Sequence, residues 1–532
     1  MTQIIQSLPV QIVDIYNDFS QFGKTSDPNS YSKEWVIKGW VRDFRSQTDN
    51  AFVSIYDGST SETFQLVCCK NTLANFDMLE NLRGSTVIAK GQVIKSPAKG
   101  QQIEMLCNEI KPIGLVQDKD SIILAKTVQL ETLRGKNQHL RSRFRSYGYI
   151  YKIRSVLLKH IHQFFHSNRF YNLDPNIITT SDCEGAGEIF TISTLDSNEL
   201  VKRAETMVLT KFVNVNTSED IGANTGANTG ANTGTNIDNG FNLHCLSDSN
   251  VYSNDFFRKQ AFLTVSSQLQ LEALCSGLSR VYTLNPSFRA EKSKTKRHLG
   301  CFTHLEWEIA FINLDQLMDF SEGMVKYVIE KTLEECAKEY EELNKFISKG
   351  IIEKLTKVIS KPFERITYNK AIELVEEHQG QILSTYSKEI TLKDIPKWGD
   401  DLGSYCEKYI CDNIYGKPVL VYNYPKDLKS FYMKSNDDGL TCQAVDLLCP
   451  QLGELIGSSI REDSYEKLTE RMDSKSMDKS KLQWYIDLRK NSTFPHGGAG
   501  LGFDRLVNFC SLMDGNIRDV VPFPVSYEEC EY

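Results

Sequence analysis

Between Trp35 and about Ile113 apolar and polar side chains alternate at a period of two. Trp35, Ile37, Gly39 and Val41 share one side of the chain, as do Ile103, Met105 and Cys107. That period puts successive side chains on opposite faces of an extended backbone, so it predicts half-buried β-strands. Five such runs, 35–41, 52–56, 64–69, 87–93 and 103–110, with turn residues at Asp57-Gly58-Ser59 and Lys99-Gly100, predict a small barrel. The period then changes. Ile153, Val156, Leu157, Ile161, Phe164 and Phe165 recur at helical spacing, and this helix should stop before the strand-like run 170–178, which Pro175 interrupts. Residues 315–379 read as heavily charged helices and are expected to form a solvated insertion. Strands resume at 418–422, 430–434 and 442–447, the last two joined by a tight turn at Asn436-Asp437-Asp438-Gly439.

Two stretches depart from these patterns. Residues 216–240 repeat Gly-Ala-Asn-Thr from Gly222 to Thr233 and hold almost no large apolar side chains. Such a segment cannot bury enough surface to offset its ordering entropy, which predicts a disordered surface insertion without a catalytic role. The connector after the strands carries Arg134, Lys136, Arg141, Arg143 and Arg145, which suit phosphate contacts and a solvated linker equally well. The chain therefore divides into an N-terminal extension (1–30), a five-stranded barrel of the oligonucleotide-binding type (31–115), a linker (116–148) and a large α+β domain (149–532). The last contains the repeat insertion (216–240) and a helical insertion (about 320–395).

At 532 residues the chain can build its cores without staples. A net charge of -8 argues against indiscriminate nucleic-acid coating, so any RNA contact must come from local basic patches. Fourteen cysteines lie scattered without a C-x-x-C pair, which reads as reduced thiols in a reducing compartment. His160, His162 and His166 sit close together on a predicted helix, yet no cysteine or carboxylate completes a zinc set at ligand spacing. The first 22 residues contain Asp14 and Asp18 and no Lys or Arg, the wrong composition for a targeting segment, so a cytoplasmic location is expected. No apolar run approaches the ~20 residues needed to cross a bilayer.

The most informative strings are Ser287-Phe288-Arg289-Ala290-Glu291, continued by Lys296-Arg297-His298-Leu299, and Gly500-Leu501-Gly502-Phe503-Asp504-Arg505. Arg289 offers a planar fork for a phosphate and a carboxylate, and Arg297 and His298 add donors for outer phosphates. The glycines clear space for close approach of a ligand to the backbone. Arg505 presents a flat cation for stacking, with aromatic Phe302 to oppose it. In this order and near this spacing the strings resemble motifs 2 and 3 of class II aminoacyl-tRNA synthetases, and the helix at 153–165 with its following strand resembles motif 1, through which those enzymes dimerise.

Further matches narrow the resemblance to the asparaginyl-tRNA synthetases of subclass IIb. They are Ser181-Asp182-Cys183-Glu184-Gly185-Ala186-Gly187-Glu188, Tyr424-Pro425-Lys426, Gly453-Glu454-Leu455-Ile456-Gly457 and Asn516-Ile517-Arg518-Asp519 with its Pro-rich continuation. The resemblance implies an α+β fold, with the barrel as anticodon-binding domain and the catalytic domain built on an antiparallel sheet flanked by helices. It also implies ligation of L-asparagine to tRNA(Asn) at the expense of ATP, by a homodimer, with Mg2+. Arg289 and Arg505 would be catalytic. Glu291, Arg297, His298, Leu299, Phe302, Glu454, Gly500, Gly502 and Asp504 would join them in holding ATP, and Glu454 with Asp446 would hold the metal, since a hard cation takes oxygen ligands. Asp504 stands where the family often has glutamate, and Gly498-Ala499 replaces a bulkier pair in many relatives; both departures leave the glycine and arginine framework intact.

Amino-acid choice follows from charge. An aspartate side chain is an anion that wants cations, whereas a carboxamide needs a protein acceptor opposite its nitrogen. In Ser266-Ser267-Gln268-Leu269-Gln270-Leu271-Glu272, Leu271 occupies the position of a lysine that aspartyl enzymes use. By resemblance, Arg461 would donate to the side-chain oxygen of asparagine and Glu306 would accept from its nitrogen, while Glu184 and Gln268 receive the ammonium. The alternative for Glu306 is a core ion pair with Arg461. In the barrel, Arg45, Phe52 and Gln65 match positions that bind anticodon bases in related enzymes; for Phe52 a core position is equally consistent. An aspartate-charging enzyme is the alternative function, which Leu271 disfavours, and a catalytically silent RNA-binding relative is a second, which the intact Arg289, Glu454 and Arg505 disfavour.

Deleting residues 219–239 is expected to leave the melting temperature and amino-acid activation unchanged. Calorimetry and a pyrophosphate-exchange assay on the shortened chain check this, and a large loss of activity would place the repeat against a substrate.

Overall fold

The alternation in the first part of the chain closes on itself. In the computed structural model, which describes residues 8–125, 128–181, 188–196, 198–203, 251–513 and 515–532, five strands form a closed barrel. They are β1 (Ser32–Ser46), β2 (Asn50–Tyr56), β3 (Phe64–Cys69), β4 (Thr86–Lys95) and β5 (Ile103–Gly114), in the order β1-β2-β3-β5-β4. Along β2 Ala51, Val53 and Ile55 are fully buried while Phe52, Ser54 and Tyr56 face outward, so the pleat alone sorts core from surface. The N-terminal extension folds against this barrel. Helix α1 (Ile12–Thr25) sinks Ile12 and Ile15 into the barrel core, and its first free amides are met by the barrel: Ile12 N donates to Asp57 Oδ2 (2.7 Å) and Val13 N to Ser59 Oγ (3.1 Å).

Three of the connector arginines are structural, which neither sequence reading anticipated. Arg141 is 1% exposed and donates to the carbonyls of Leu133 (2.8 Å), Arg518 (2.9 Å) and Val521 (2.8 Å). Arg134 forks onto Asp519 at 2.9 and 2.6 Å. Arg143 reaches the barrel, donating to the Tyr56 hydroxyl (3.0 Å) and the Gly84 carbonyl (2.7 Å). The connector thus ties the barrel to the C-terminal segment through buried donors.

The large domain rests on an eight-stranded sheet ordered β12-β13-β14-β15-β16-β11-β10-β6. Its strands are β6 (Tyr171–Asn172), β10 (Arg280–Phe288), β11 (Cys301–Ala310), β12 (Glu364–Thr367), β13 (Val419–Pro425), β14 (Thr441–Cys449), β15 (Gly453–Ile460) and β16 (His496–Gly502). The edge pairs β6–β10 and β12–β13 are parallel and the rest antiparallel. A small sheet of β7 (Ile178–Thr179), β8 (Thr191–Ile192) and β9 (Ala261–Leu263) lies apart. Helix α2 (Arg145–Ser167) covers one face of the large sheet. Its Ile153, Leu157 and Phe165 share a core with Leu305, Trp307 and Ile309 of β11, and Phe165 stacks on Tyr282 with ring centroids 4.4 Å apart. By the same pleat, Phe302, His304, Glu306 and Glu308 point to the opposite face.

Helices α3 (Gln268–Leu278), α4 (Leu314–Glu335), α5 (Ala337–Phe346), α6 (Ile351–Ser360), α7 (Tyr368–Glu377), α8 (Gln379–Thr385), α9 (Ser404–Tyr409), α10 (Tyr465–Ser474), α11 (Gln483–Lys490) and α12 (Phe503–Ser511) complete the domain. The stretch expected to be a solvated insertion is solvated on one side only. Met318, Met324, Val325, Val328 and Ile329 of α4, with Ile351 and Leu355 of α6, are buried in the main core. Their spacing of three and four keeps the charges on the outer side of each helix. Residues 430–434, expected as a strand, make only isolated bridges such as Met433 to Arg461, because Phe431 and Tyr432 turn into a cluster with Leu468, Met472 and Tyr485. Among the described residues no helix is long and apolar enough to cross a membrane.

Replacing Arg141 with Met leaves one buried and two part-buried carbonyls without their donor and is expected to cost about 3 kcal/mol, since an unsatisfied polar group shielded from water carries a desolvation penalty. Denaturant unfolding checks this; an unchanged midpoint would show that other groups satisfy those carbonyls.

Candidate functional site

Register on the polar face of the sheet brings the sequence motifs together. Glu306 of β11 pairs with Gly500 of β16, Gly500 with Gly457 of β15, and Gly457 with Asp446 of β14. Residues directly opposed across strands share a face, so two carboxylates flank a two-glycine floor. The floor cannot carry side chains. A Cβ at Gly500 would lie 2.7 Å from His304 Nε2, and one at Gly498, next on the same face, would lie 2.2 Å from the Trp307 carbonyl oxygen. The Gly498 departure is therefore a steric requirement of this chain.

Above the floor opens a cavity of about 240 Å³. Arg289, Glu291, Arg297, His298, Leu299 and Phe302 line it from the first motif, and Gly500, Gly502, Asp504 and Arg505 from the second, with Glu454 between them. The Arg289 guanidinium sits 5.5 Å from the Phe302 ring centroid. His298 Nδ1 lies 2.6 Å from Thr295 Oγ1 and 2.8 Å from Ser293 Oγ, with Nε2 3.6 Å from Glu291. Burial holds the His298 and His304 imidazoles below their usual pKa. Arg505 Nη1 is 3.9 Å from the Glu454 carboxylate. Asp504 is 1% exposed, with one carboxylate oxygen on Arg154 and the other accepting from Thr303 N at 2.8 Å. It braces the cavity wall, and its oxygens are engaged with protein.

At the acidic end a Cβ at Gly457 would meet Glu454 Oε1 at 3.2 Å and Asp446 Oδ1 at 3.8 Å, so both carboxylates face one small space. Lys429 holds the other Asp446 oxygen, and burial pushes the Asp446 carboxyl up. A third acid, Glu407 of α9, accepts from Glu454 N at 3.2 Å; burial, then Glu454 and Asp446, push its carboxyl to about 8. Among the described residues no cluster of three or more ligating side chains forms a cage. Two all-oxygen carboxylates fit a hard divalent ion that keeps waters and takes its remaining ligands from phosphate.

On the other side of the floor Glu306 is buried and accepts from Ser266 Oγ and, at 2.9 Å, from Ser267 N. It does not pair with Arg461, which removes the core ion-pair alternative. Arg461 bonds Glu308 through Nε (3.0 Å) and Nη2, and Ser459 Oγ through Nη1 (2.7 Å). Gln268 Nε2 donates to Glu272 at 3.0 Å. Glu272 is 1% exposed and also accepts from Tyr485 (2.8 Å) and Arg489 (2.8 Å), with His496 Nε2 at 2.9 Å. Leu271 is fully buried with Cys275 and Val281, so its contribution is the absence of a cation, and a lysine there would sit among apolar side chains. Glu184 lies outside the described residues, as does most of the string around it.

The barrel brings its three expected residues together. Arg45 of β1 pairs with Phe52 of β2, and Phe52 with Val67 of β3, which places Gln65 diagonally across on the same outer face. Phe52 is half-buried and outward, so the core position is excluded. Gln65 Nε2 is 3.5 Å from Glu104 Oε2, which Ser96 fixes by donating at 2.7 Å. The sequence reading missed His304, Glu308, Glu272, Glu407 and Arg489. The period of two from Phe302 through Glu306 could have exposed His304 and Glu308; nothing local marks the other three.

Comparison with known proteins agrees with this geometry. The family described as tRNA synthetases class II (D, K and N) matches residues 241–527, and an OB-fold nucleic acid binding domain matches residues 35–113. The asparagine–tRNA ligase of Photobacterium profundum is 39% identical over 495 residues, covering 92% of this chain and 94% of its own. That of Legionella pneumophila (strain Corby) is 37% identical over 501 residues, 93% and 96% of the two chains. The solved asparaginyl-tRNA synthetase of Pyrococcus horikoshii, complexed with asparaginyl-adenylate, superposes with a TM-score of 0.74 at 28% identity, covering 94% of this chain and 97% of that one. On a shared barrel, a shared catalytic sheet and identity along nearly the whole length, the chain belongs to the asparagine–tRNA ligase family of class II synthetases.

Proposed function

We propose that this chain activates L-asparagine with ATP to asparaginyl-adenylate and pyrophosphate, then esterifies the 3′ end of tRNA(Asn) with release of AMP. The observation that carries the reading is the single cavity in which Arg289 and the strand–helix glycines and arginine of 500–505 meet, although about two hundred residues separate them. In the first step the asparagine carboxylate attacks the α-phosphate in line, and the bond to pyrophosphate breaks. The nucleophile is already ionised, so the protein's work is orientation and charge neutralisation. Arg289 forks between α-phosphate and carboxylate; Arg297 and His298 take the outer phosphates; adenine lies between Phe302 and Arg505, over Gly500 and Gly502. Leu299 supplies apolar wall, and Glu291 orients His298. Glu454 and Asp446 would hold Mg2+, which supplies charge neutralisation at the phosphates when bound. In the second step a terminal ribose hydroxyl attacks the carbonyl carbon, and AMP leaves.

Asparagine binds on the Glu306 side. Arg461 has five N–H donors, of which three are engaged with Glu308 and Ser459, leaving one on each Nη for the carboxamide oxygen. Each Glu306 oxygen already accepts one protein donor and retains a second lone pair for the carboxamide nitrogen. Gln268 and Glu184 take the ammonium. The Arg45, Phe52 and Gln65 face receives anticodon bases by stacking and amide pairing. Two copies pair through the motif 1 helix and the strand after it, a reading supported by Tyr171, 57% exposed on the edge strand β6 of the sheet. The buried free thiols suit a reducing compartment, hence the cytoplasm.

Arg289→Ala is expected to cut asparagine-dependent pyrophosphate exchange at least ~10²-fold, the scale for one transition-state donor, with melting temperature preserved. Retained exchange in the folded variant would remove Arg289 from this role. Phe52→Ala combined with Gln65→Ala is expected to weaken aminoacylation by about 1–3 kcal/mol per unstacked base while sparing exchange. Equal loss in both assays would mean that the pair only supports the barrel.

A further inference from the structure

The charges beneath Arg461 form a closed network that the nucleotide chemistry does not require, and it meets the amino-acid contacts at Arg461 and at Gln268, which donates to Glu272 at 3.0 Å. Arg461, 3% exposed, touches Glu308, and its Nε lies 4.0 Å from Glu272 Oε1. Glu272 in turn carries Arg489 at 2.8 Å, with His496 at 2.9 Å. Both ring nitrogens of His496 face acceptors, Glu272 Oε2 and the Phe494 carbonyl oxygen. Burial works against the Glu272 carboxylate, but Arg489, His496 and Arg461 outweigh it and hold its pKa below the usual range. Burial pushes Glu308 up to about 7. Two acids therefore screen Arg461, the arginine assigned to the substrate side chain, in surroundings where charge is poorly solvated.

We infer that Glu272, through its position between Arg461 and Arg489, is a specificity-determining residue that rejects aspartate by leaving Arg461 without spare positive charge. Asparagine accepts the two remaining Arg461 N–H groups and adds no charge. Aspartate would add a further carboxylate to a buried site that already holds Glu306, Glu308 and Glu272, where among the described residues Arg461 and Arg489 are each already paired with an acid. Glu272 acts through Arg461 and is a positioning residue; it does not touch the reacting atoms. The inference rests on the assignment of the Arg461 side of the site to the amino-acid side chain.

The test is a charge-balance series on the full-length chain: Glu272→Gln, Arg489→Gln and the double variant. Each is assayed for pyrophosphate exchange with asparagine and with aspartate, after a melting scan. Glu272→Gln uncovers one positive charge, and the asparagine-to-aspartate ratio of kcat/KM is expected to fall about tenfold, the effect of one opposite charge within several ångströms. Arg489→Gln removes a cation instead, so its ratio should rise or hold. The double variant restores the balance, and its ratio should return to within about threefold of the unsubstituted chain. A common fall in all three would mean that loosened packing is responsible, and would overturn the inference, as would a ratio unchanged in both single variants. If Glu272→Gln does not fold, the sign of the Arg489→Gln change still decides it: a fall overturns the inference. Failure of the unsubstituted chain to exchange with asparagine would sink the functional reading itself, a result distinguishable from an unchanged ratio in active variants.

Discussion

The pairing of β11 with β16 is the constraint on which the site depends. It sets Glu306 opposite Gly500 and Glu308 opposite Gly498, and a shift of one residue would turn those acids into the core and Leu305 and Trp307 out. The register is held from both faces. On one, Leu305, Trp307, Ala499 and Leu501 are buried in the main core that α2 covers. On the other, Gly498 and Gly500 admit no Cβ against Glu308, the Trp307 carbonyl and His304. Packing and absence of side chains therefore specify the same alignment, and the Glu454–Asp446 end and the Glu306–Arg461 end of the site inherit their separation from it.

Distant segments are fastened to that sheet by buried charge. Arg154 of α2 reaches Asp504 at the start of α12, and Asp504 accepts from Thr303 N in β11, so the long helix α2, the glycine–arginine segment 500–505 and the central strand share one carboxylate. Arg134 and Arg141 do the same for the connector and the C-terminal segment, through Asp519 and the carbonyls of Arg518 and Val521. Since breaking one partner of a buried pair leaves an uncompensated charge, these links bind the barrel, the helix and the sheet into a common geometry. A nucleic-acid-binding barrel and a distant cavity on the catalytic sheet are held in one frame by these links.

Much of this was legible in the sequence because it repeats a local period. The five barrel strands, the helix through 153–165 and the alternation of β2 follow from spacing alone, as do the outward Phe52 and its partners once the register is known. The two arginine motifs could be recognised because nucleotide chemistry constrains both residue types and order within a short window. What spacing could not reveal is how a half-apolar helix meets its neighbours. The charged stretch at 315–379 looked solvated, since its buried positions, Met324, Val325, Val328 and Ile329 among them, are separated by charged residues that mostly fall on the outer side, the buried Glu339 paired with Lys152 being an exception.

The sequence by itself determined the barrel strands, the amphipathic helix after the connector, the family motifs and the residue types at the cavity, because each depends on neighbours within a few positions. Only the tertiary structure decided which charges pair. Glu272 meets Arg489 and His496 across 217 and 224 residues, Arg461 takes Glu308 in place of Glu306, and three connector arginines become structural donors, Arg141 buried and Arg134 and Arg143 half-buried. The physical reason is the range of the interactions. Backbone periodicity acts within a turn or a pleat, whereas a buried charge takes whichever partner the fold brings within reach, however far away it lies along the chain.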